Sequence, residues 1–91
     1  MSDETVRVWL VERTYSDDEQ NVIILTYATT DGQRYFRKER ALTSFADDRP
    51  TRAAVDAEPQ NLGSVDDPDR REQYATEAER TRAAHDPDDA V

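Results

Sequence analysis

The stretch NVIILTYATTDGQRYFRKER, residues 21–40, decides the fold of this chain. Its first ten residues are rich in β-branched and aromatic side chains, which favour a strand. Asp31-Gly32 follows. This dipeptide between two strand-like runs predicts a two-residue hairpin turn of type I′, because both central positions of that turn need a positive φ. A further strand-like run extends from Gln33 to about Leu42. The stretch therefore predicts an antiparallel β-hairpin.

A third strand precedes this hairpin. Residues 5–15, TVRVWLVERTY, have the same strand-like composition, and the polar stretch SDDEQ separates them from the hairpin. If the turn pairs Thr30 with Gln33, Tyr27 lies opposite Phe36, and alternate side chains divide between the two faces of the sheet. The expected faces are Trp9, Val11, Ile23, Leu25, Tyr27 and Phe36 on one side, and Val6, Val8, Leu10, Val22, Ile24, Ala28 and Tyr35 on the other.

Both faces of this three-stranded meander are apolar, and a sheet of that kind has to be covered on each side. We expect the C-terminal half to cover one face and a second copy of the chain to cover the other, which predicts a homodimer. The residues expected in the self-association contact are Val8, Leu10, Ile24 and Tyr35. Trp9 and Tyr27 are expected to be core residues, because rings on central strands are usually buried.

The second half of the chain differs in composition from the first. Residues 47–91 carry 13 acidic and 6 basic side chains, and large apolar residues almost vanish there. The stretch PTRAAVDA, residues 50–57, predicts a short helix that begins at a proline and stops before Glu58-Pro59. Residues 69–85 predict a longer helix, with Asp66 or Asp67 as its cap, Pro68 in its first turn and Asp86-Pro87 as its stop.

These elements predict a single small α+β domain. Its expected parts are a three-stranded antiparallel meander over residues 5–42, an irregular or short-helical segment over 43–65, a helix over 66–86 and a flexible tail over 87–91. The competing interpretation, an acidic disordered protein, fits residues 47–91 better than the first half.

The kind of charge is informative. The chain has 21 acidic and 12 basic residues, a net charge of −9, and 11 of the 12 basic residues are arginine, with Lys38 the only lysine. This composition resembles that of small acidic proteins from halophilic archaea. The resemblance implies a cytoplasm at molar salt, where the Debye length falls to about 3 Å and the self-repulsion of the chain is screened. The N-terminus shows no signal peptide and no apolar run reaches membrane-spanning length, which also predicts a cytoplasmic protein.

Few residues support catalysis. The chain has no cysteine, which excludes thiolate chemistry and disulfides, and no glycine-rich phosphate loop or G-x-S-x-G motif. The single histidine, His85, lies at the expected end of a helix, where a structural role is the usual one. Pairs such as Asp88-Asp89 lack the alternation and central glycine of a calcium loop. We therefore predict a non-enzymatic interaction module with no catalytic, cofactor or metal site.

The stretch RYFRKER, residues 34–40, is the one candidate binding surface in so acidic a chain. In a strand, its alternate residues divide the positive charge between the two faces of the sheet. Three interpretations remain open: an edge strand whose charges block further strand pairing, a contact with an acidic protein partner, and a site for single-stranded nucleic acid. The residues concerned are Arg34, Tyr35, Arg37, Lys38 and Arg40.

Overall fold

The computed structural model describes residues 4–16, 22–41 and 51–91. Its strands form one antiparallel sheet in the order β4-β1-β2-β3-β5, and one α-helix follows. The elements are β1 (Val6–Ser16), β2 (Val22–Ala28), β3 (Arg34–Ala41), β4 (Ala54–Ala57), a 3-10 turn (Pro59–Asn61), β5 (Gly63–Ser64) and α1 (Pro68–Ala84). The predicted α+β class and the β1-β2-β3 meander are confirmed, but the sheet has five strands, because β4 and β5 extend it at its two edges.

The hairpin between β2 and β3 has the predicted register, with Tyr27 opposite Phe36. Its turn is not of type I′. Gly32 has φ +73°, and no other described residue has a positive φ. The Gly32 N–H donates to the Thr29 carbonyl at 2.9 Å, so Asp31 is a central residue with negative φ. The reason is the Asp31 carboxylate, which accepts from the Gln33 N–H at 3.0 Å and from the Thr29 hydroxyl.

The predicted faces of the first strand were wrong. The pairing of β1 with β2 puts Trp9 opposite Ala28 and Leu10 opposite Tyr27. Because directly paired residues lie on the same side of a sheet, Leu10 shares a face with Tyr27, and Trp9 lies on the opposite face. The polar stretch between these strands contains no turn signal comparable to Asp31-Gly32, so the sequence left their relative register undetermined.

A β-bulge changes β1 halfway along its length. The register shifts between Leu10 and Glu12, which leaves Val11 as the extra residue. The Leu10 carbonyl accepts the Thr81 hydroxyl of α1 at 2.7 Å, and the Leu10 N–H donates to the Ala53 carbonyl at 2.9 Å. Next to the bulge, backbone groups of β1 therefore bond to the helix and to the segment that precedes β4.

The helix α1 covers the Trp9 face. Its buried residues are Tyr74 and Ala78. Tyr74 packs with Ala28 and Val65, and Ala78 packs in a cluster with Trp9. Trp9 is a core residue as predicted, with 6% of its surface exposed.

The opposite face of the sheet carries the larger apolar cluster. Its buried members are Val8, Ile23, Leu25, Tyr27 and Ala57, and Tyr27, which was predicted to be core, is 2% exposed. Val55 and Leu62 pack against this cluster from the second half of the chain. Burial of this face within one chain removes the premise that a second copy has to cover it.

The short helix predicted over residues 50–57 is replaced by β4. Strand β4 pairs with β1, with Val8 opposite Val55 and Val6 opposite Ala57. Local sequence favoured a helix because of its alanines and leading proline, but tertiary packing decided the conformation: Val55 and Ala57 complete the cluster around Val8.

Residues 87–91, predicted to be a flexible tail, are paired with residues 51–54. The Ala53 N–H donates to the Asp89 carbonyl at 2.8 Å, the Ala54 N–H to the Pro87 carbonyl at 3.1 Å and the Val91 N–H to the Thr51 carbonyl at 2.8 Å. The Val91 side chain also packs on the cluster that contains Trp9. These bonds supply partners for backbone groups next to β4, which explains the order of the tail.

The helix matches its prediction closely. It begins at Pro68 with Asp67 as cap, whose carboxylate accepts from the Asp69 N–H at 3.0 Å, and His85 is its C-cap. No helix within the described residues is long and apolar enough to cross a membrane.

Candidate functional site

The four residues predicted for self-association do not form one surface. Val8 and Leu10 lie on the Tyr27 face, whereas Ile24 and Tyr35 lie on the face that α1 covers. Val8 is also fully buried within the chain. The register of β1 is the reason for this correction, since the sequence assigned β1 the wrong phase relative to the hairpin.

The basic strand β3 divides its charges as the alternation predicted. Arg34, Lys38 and Arg40 share the Tyr27 face, whereas Tyr35 and Arg37 point to the helix side. Lys38 and Arg37 are exposed, and Arg40 is half-buried. No carboxylate within the described part of the chain pairs with Arg37 or Lys38.

The outer edge of β3 is only partly covered. Strand β5 is two residues long and pairs with Arg34 and Tyr35 alone. Beyond them, residues 36–40 have no strand partner among the described residues on this side. We call residues 36–40 the open β3 edge.

The direction of the backbone groups along this edge follows from two hydrogen bonds. The Thr29 N–H donates to the Arg34 carbonyl on the β2 side at 3.1 Å, and the Val65 N–H donates to the Gln33 carbonyl on the outer side at 2.9 Å. Because an antiparallel strand alternates the direction of its backbone groups, the N–H and C=O groups of Arg37 and Glu39 point outward. The open β3 edge therefore presents two donors and two acceptors.

A cleft lies beside this edge on the helix side. It has a volume of about 220 Å³ and is lined in part by Tyr35, Arg37 and Arg70. The Arg70 guanidinium lies 5.8 Å from the Tyr74 ring centre, and its Nη1 donates to the Tyr74 hydroxyl at 3.4 Å. Asp66 and Asp67 also line the cleft, so its charge is mixed.

The Tyr35 ring packs closely over Gly63. The two residues are directly paired across β3 and β5, and a Cβ atom built on Gly63 meets the Tyr35 ring at 2.4 Å. A glycine at this position lets the ring lie over the β5 backbone. Tyr35 is therefore part of the packing around Val65, and this limits its availability as a stacking platform.

A second cleft lies on the Tyr27 face and has a volume of about 360 Å³. We call it the basic cleft; it is lined by Leu25, Tyr27, Lys38, Arg40, Thr51, Arg52 and Val55. The Arg40 Nη2 donates to the Thr51 hydroxyl at 3.4 Å, and the buried Arg40 Nε has no partner among the described residues. Burial raises the pKa of the Tyr27 phenol, which the positive charges of Arg40 and Arg13 partly oppose.

The sequence predicted Lys38 and Arg40 as contact residues but did not predict Thr51 and Arg52. These residues join the basic cleft because β4 pairs with β1, and nothing in the local sequence around residue 52 signals that pairing. Within the described residues, no group of three or more carboxylates and histidines is placed to hold a metal ion.

The fold and these surfaces define a small α+β protein: a five-stranded antiparallel sheet, one covering helix and a basic strand with an open edge. The chain belongs to a family of unknown function, DUF7967, whose profile matches residues 2–91. No curated protein matches the chain. No solved structure matches it either.

Proposed function

We propose that this protein is a small, non-enzymatic interaction module that self-associates by pairing the open β3 edges of two copies. The observation that carries the proposal is the set of outward backbone groups at Arg37 and Glu39, which have no strand partner among the described residues. Addition of a strand to such an edge is a common mode of protein association, because it supplies partners for these groups. In this proposal the two copies associate through strand edges, and not through the apolar sheet face that the sequence predicted.

Symmetry restricts how two β3 strands pair. Directly opposed residues of an antiparallel pair lie on the same face, so a two-fold axis perpendicular to the sheet has to pass midway between one residue and its own copy. Centring the axis on Lys38 opposes residues 36–40 of the two copies along the whole open β3 edge. Arg37 then lies opposite Glu39 of the partner subunit, and this ion pair occurs twice.

The neighbouring registers are less favourable. An axis through Arg37 opposes two arginines and brings the partner strand against β5, which already occupies the edge at Tyr35. An axis through Glu39 opposes two glutamates. Like charges directly opposed across strands are destabilising, so charge selects the Lys38 register, in which one Lys38 pair is outweighed by two Arg–Glu pairs.

The proposed contact is weak because it contains few interactions. Four backbone hydrogen bonds at about 1 kcal/mol each and two exposed ion pairs at about 0.5 kcal/mol each total roughly 5 kcal/mol. Association also costs translational and rotational freedom, so the dissociation constant is no tighter than on the order of 0.1 mM. We therefore expect a dimer that forms at high protein concentration.

The net charge of the chain makes the proposed self-association depend on salt concentration. Two copies of a chain with a net charge of −9 repel each other, and this repulsion acts over a longer range than the two ion pairs. Molar potassium chloride screens it. A cytoplasm at molar salt, which the halophile-like composition suggests, is the compartment in which we place the protein.

Sedimentation velocity over a wide range of protein concentration in molar potassium chloride tests the proposal. We expect the wild type to shift from monomer to dimer and Arg37→Glu to stay monomeric, because a glutamate at position 37 would oppose Glu39 of the partner subunit. Arg80→Glu on α1 makes the same change in net charge at an exposed site and is the matched control. A dimer of equal affinity in Arg37→Glu would refute the edge assignment.

A second candidate function is binding of single-stranded nucleic acid by Arg34, Tyr35, Arg37 and Lys38. The observation in its favour is the cleft that combines Tyr35 and Arg37 with Arg70. Fluorescence anisotropy with labelled single-stranded RNA and DNA in molar potassium chloride tests it. Two results together would favour this function over self-association. The wild type would bind in a saturable manner while it remains monomeric, and Arg37→Glu would abolish that binding.

A further inference from the structure

We propose that the basic cleft is a binding site for a small organic acid, with the carboxylate held by Arg40 and the apolar body lying on Val55. The site shares Lys38 and Arg40 with the open β3 edge, but it uses their side chains on the Tyr27 face, whereas the edge contact uses the backbone of Arg37 and Glu39. The inference therefore stands independently of the proposed self-association.

The hydrogen bonding of Arg40 is the first argument. Its Nε is buried without a partner among the described residues, and the bond from its Nη2 to the Thr51 hydroxyl is long at 3.4 Å. A buried donor without an acceptor is unfavourable. The side of the guanidinium formed by Nε and Nη2 has no acceptor other than the Thr51 hydroxyl within the described part of the chain.

Two other arginines of the same chain show which group binds to the Nε and Nη2 side of a guanidinium. Arg7 presents Nε and Nη2 to the two carboxylate oxygens of Asp56, at 3.0 and 3.4 Å. Arg82 does the same with Glu79. A planar guanidinium edge matches a carboxylate in this geometry, and Arg40 is presented without one among the described residues.

The charge around the basic cleft is the second argument. Lys38 and Arg52 line it with Arg40, and no carboxylate is among its described lining residues. Arg52 lies 3.7 Å from Asp88, but both side chains are more than half exposed, so the pair leaves most of the Arg52 charge available. Three cations around one cleft in a chain of net charge −9 favour an anionic ligand.

The size and floor of the cleft indicate the class of anion. A volume of about 360 Å³ lies at the lower end of the range typical of small-molecule sites. Val55 is partly exposed and supplies apolar surface next to the cations, and the buried Leu25 and Tyr27 lie beneath the cleft. A carboxylate on a ring or a branched chain uses both surfaces, whereas inorganic phosphate uses only the cations.

Heteronuclear NMR titration in molar potassium chloride tests the site, with sodium benzoate as the probe and neutral benzamide as the matched ligand. We expect benzoate to shift the backbone signals of Thr51 and Val55 and the Arg40 Nε–H signal in a saturable manner, and benzamide to leave them unchanged. Arg40→Gln is expected to weaken benzoate binding about tenfold or more, because charge-assisted bonds are lost. Arg37→Gln, on the opposite face of β3, is the control and is expected to retain full affinity.

Two further measurements keep the inference testable if Arg40→Gln unfolds. Lys38 is exposed, so Lys38→Gln is expected to fold normally and to weaken benzoate binding by a smaller factor, about twofold to threefold. Absence of saturable benzoate shifts in the wild type would overturn the proposal. Inorganic phosphate that binds as tightly as benzoate would also overturn it, because the apolar floor would then contribute nothing.

Discussion

Gly32 is the residue on which the packing of the hairpin against the helix depends. Its φ of +73° is one that side chains rarely adopt, and a Cβ atom there would lie 2.0 Å from the Arg71 carbonyl oxygen and 2.9 Å from the Ala75 N. At Gly32 the turn therefore lies directly against the backbone of α1. Only glycine satisfies both conditions.

We predict that Gly32→Ala destabilises the fold by at least about 2 kcal/mol, since left-handed strain alone costs roughly 1 to 2 kcal/mol and the helix has to move as well. Urea unfolding followed by tryptophan fluorescence measures the change, because Trp9 is buried beneath α1. Thr30→Ala in the same turn is the control, expected to change stability little. A Gly32→Ala midpoint equal to that of the wild type would show that the turn does not contact the helix.

Asp31 couples the hairpin turn to pH. Its pKa lies below the ordinary value because its carboxylate accepts from the Thr29 hydroxyl and from the Gln33 N–H. A carboxyl group with a lowered folded pKa contributes stability above its unfolded pKa and loses that contribution as pH falls through the folded pKa. The loss therefore occurs in the acid range below the ordinary aspartate pKa.

We predict that Asp31→Asn lowers the thermal midpoint at neutral pH and flattens its decline on acidification. The asparagine side chain still accepts hydrogen bonds but carries no charge to titrate. Thermal unfolding of both proteins from neutral to strongly acidic pH provides the measurement. Parallel declines in the two proteins would mean that Asp31 does not contribute to the acid sensitivity.

At the scale of elements, the hairpin and the helix were predictable, whereas β4, β5 and the tail were not. Asp31-Gly32 and Asp67-Pro68 are local signals: a turn residue or a cap acts on its immediate neighbours. Strand β4 depends on Val55 meeting Val8, 47 positions away. No local pattern encodes that contact, and the alanines around it favour a helix.

The tail is the element with the clearest consequence for stability. Deletion of residues 87–91 removes the acceptors of the Ala53 and Ala54 N–H groups and the packing of Val91 near Trp9. We predict a loss of about 2 to 4 kcal/mol, from three backbone bonds and a partly buried side chain.

Hydrogen exchange provides the direct measurement of this loss. The Ala53 amide is expected to lose its protection in the truncated chain, whereas the Asp88→Asn variant, altered at an exposed side chain, keeps it. Unchanged Ala53 protection after truncation would show that the tail does not hold the segment that precedes β4.

At the scale of the whole molecule, we expect the net charge to have the largest effect on how stability depends on salt. The described ion pairs are mostly exposed, as in Arg80 with Glu77, and contribute little each. We therefore expect the repulsion of a net charge of −9 to dominate at low salt. We predict that the thermal midpoint rises steadily from low to molar potassium chloride. A midpoint that stays constant or falls would contradict this view of the composition.

The candidate surfaces were predictable only in part. The alternation of β3 gave the correct distribution of Arg37 and Lys38 between the two faces, because it depends on strand geometry alone. The extent of the open β3 edge depends on where β5 stops. The basic cleft depends on the pairing of β4 with β1, which brings Arg52 to the same cleft as Arg40. Both are consequences of long-range pairing, which composition does not reveal.

Mixing two charge-reversed variants tests the central claim most directly. Arg37→Glu and Glu39→Arg are each expected to be monomeric, because each opposes like charges across the two-fold axis. Mixed in equal amounts, they place a glutamate opposite an arginine at both positions, so sedimentation in molar potassium chloride should show a heterodimer as stable as the wild-type dimer. Two variants that remain monomeric together, or that dimerise separately, would contradict pairing of the open β3 edge in the Lys38 register.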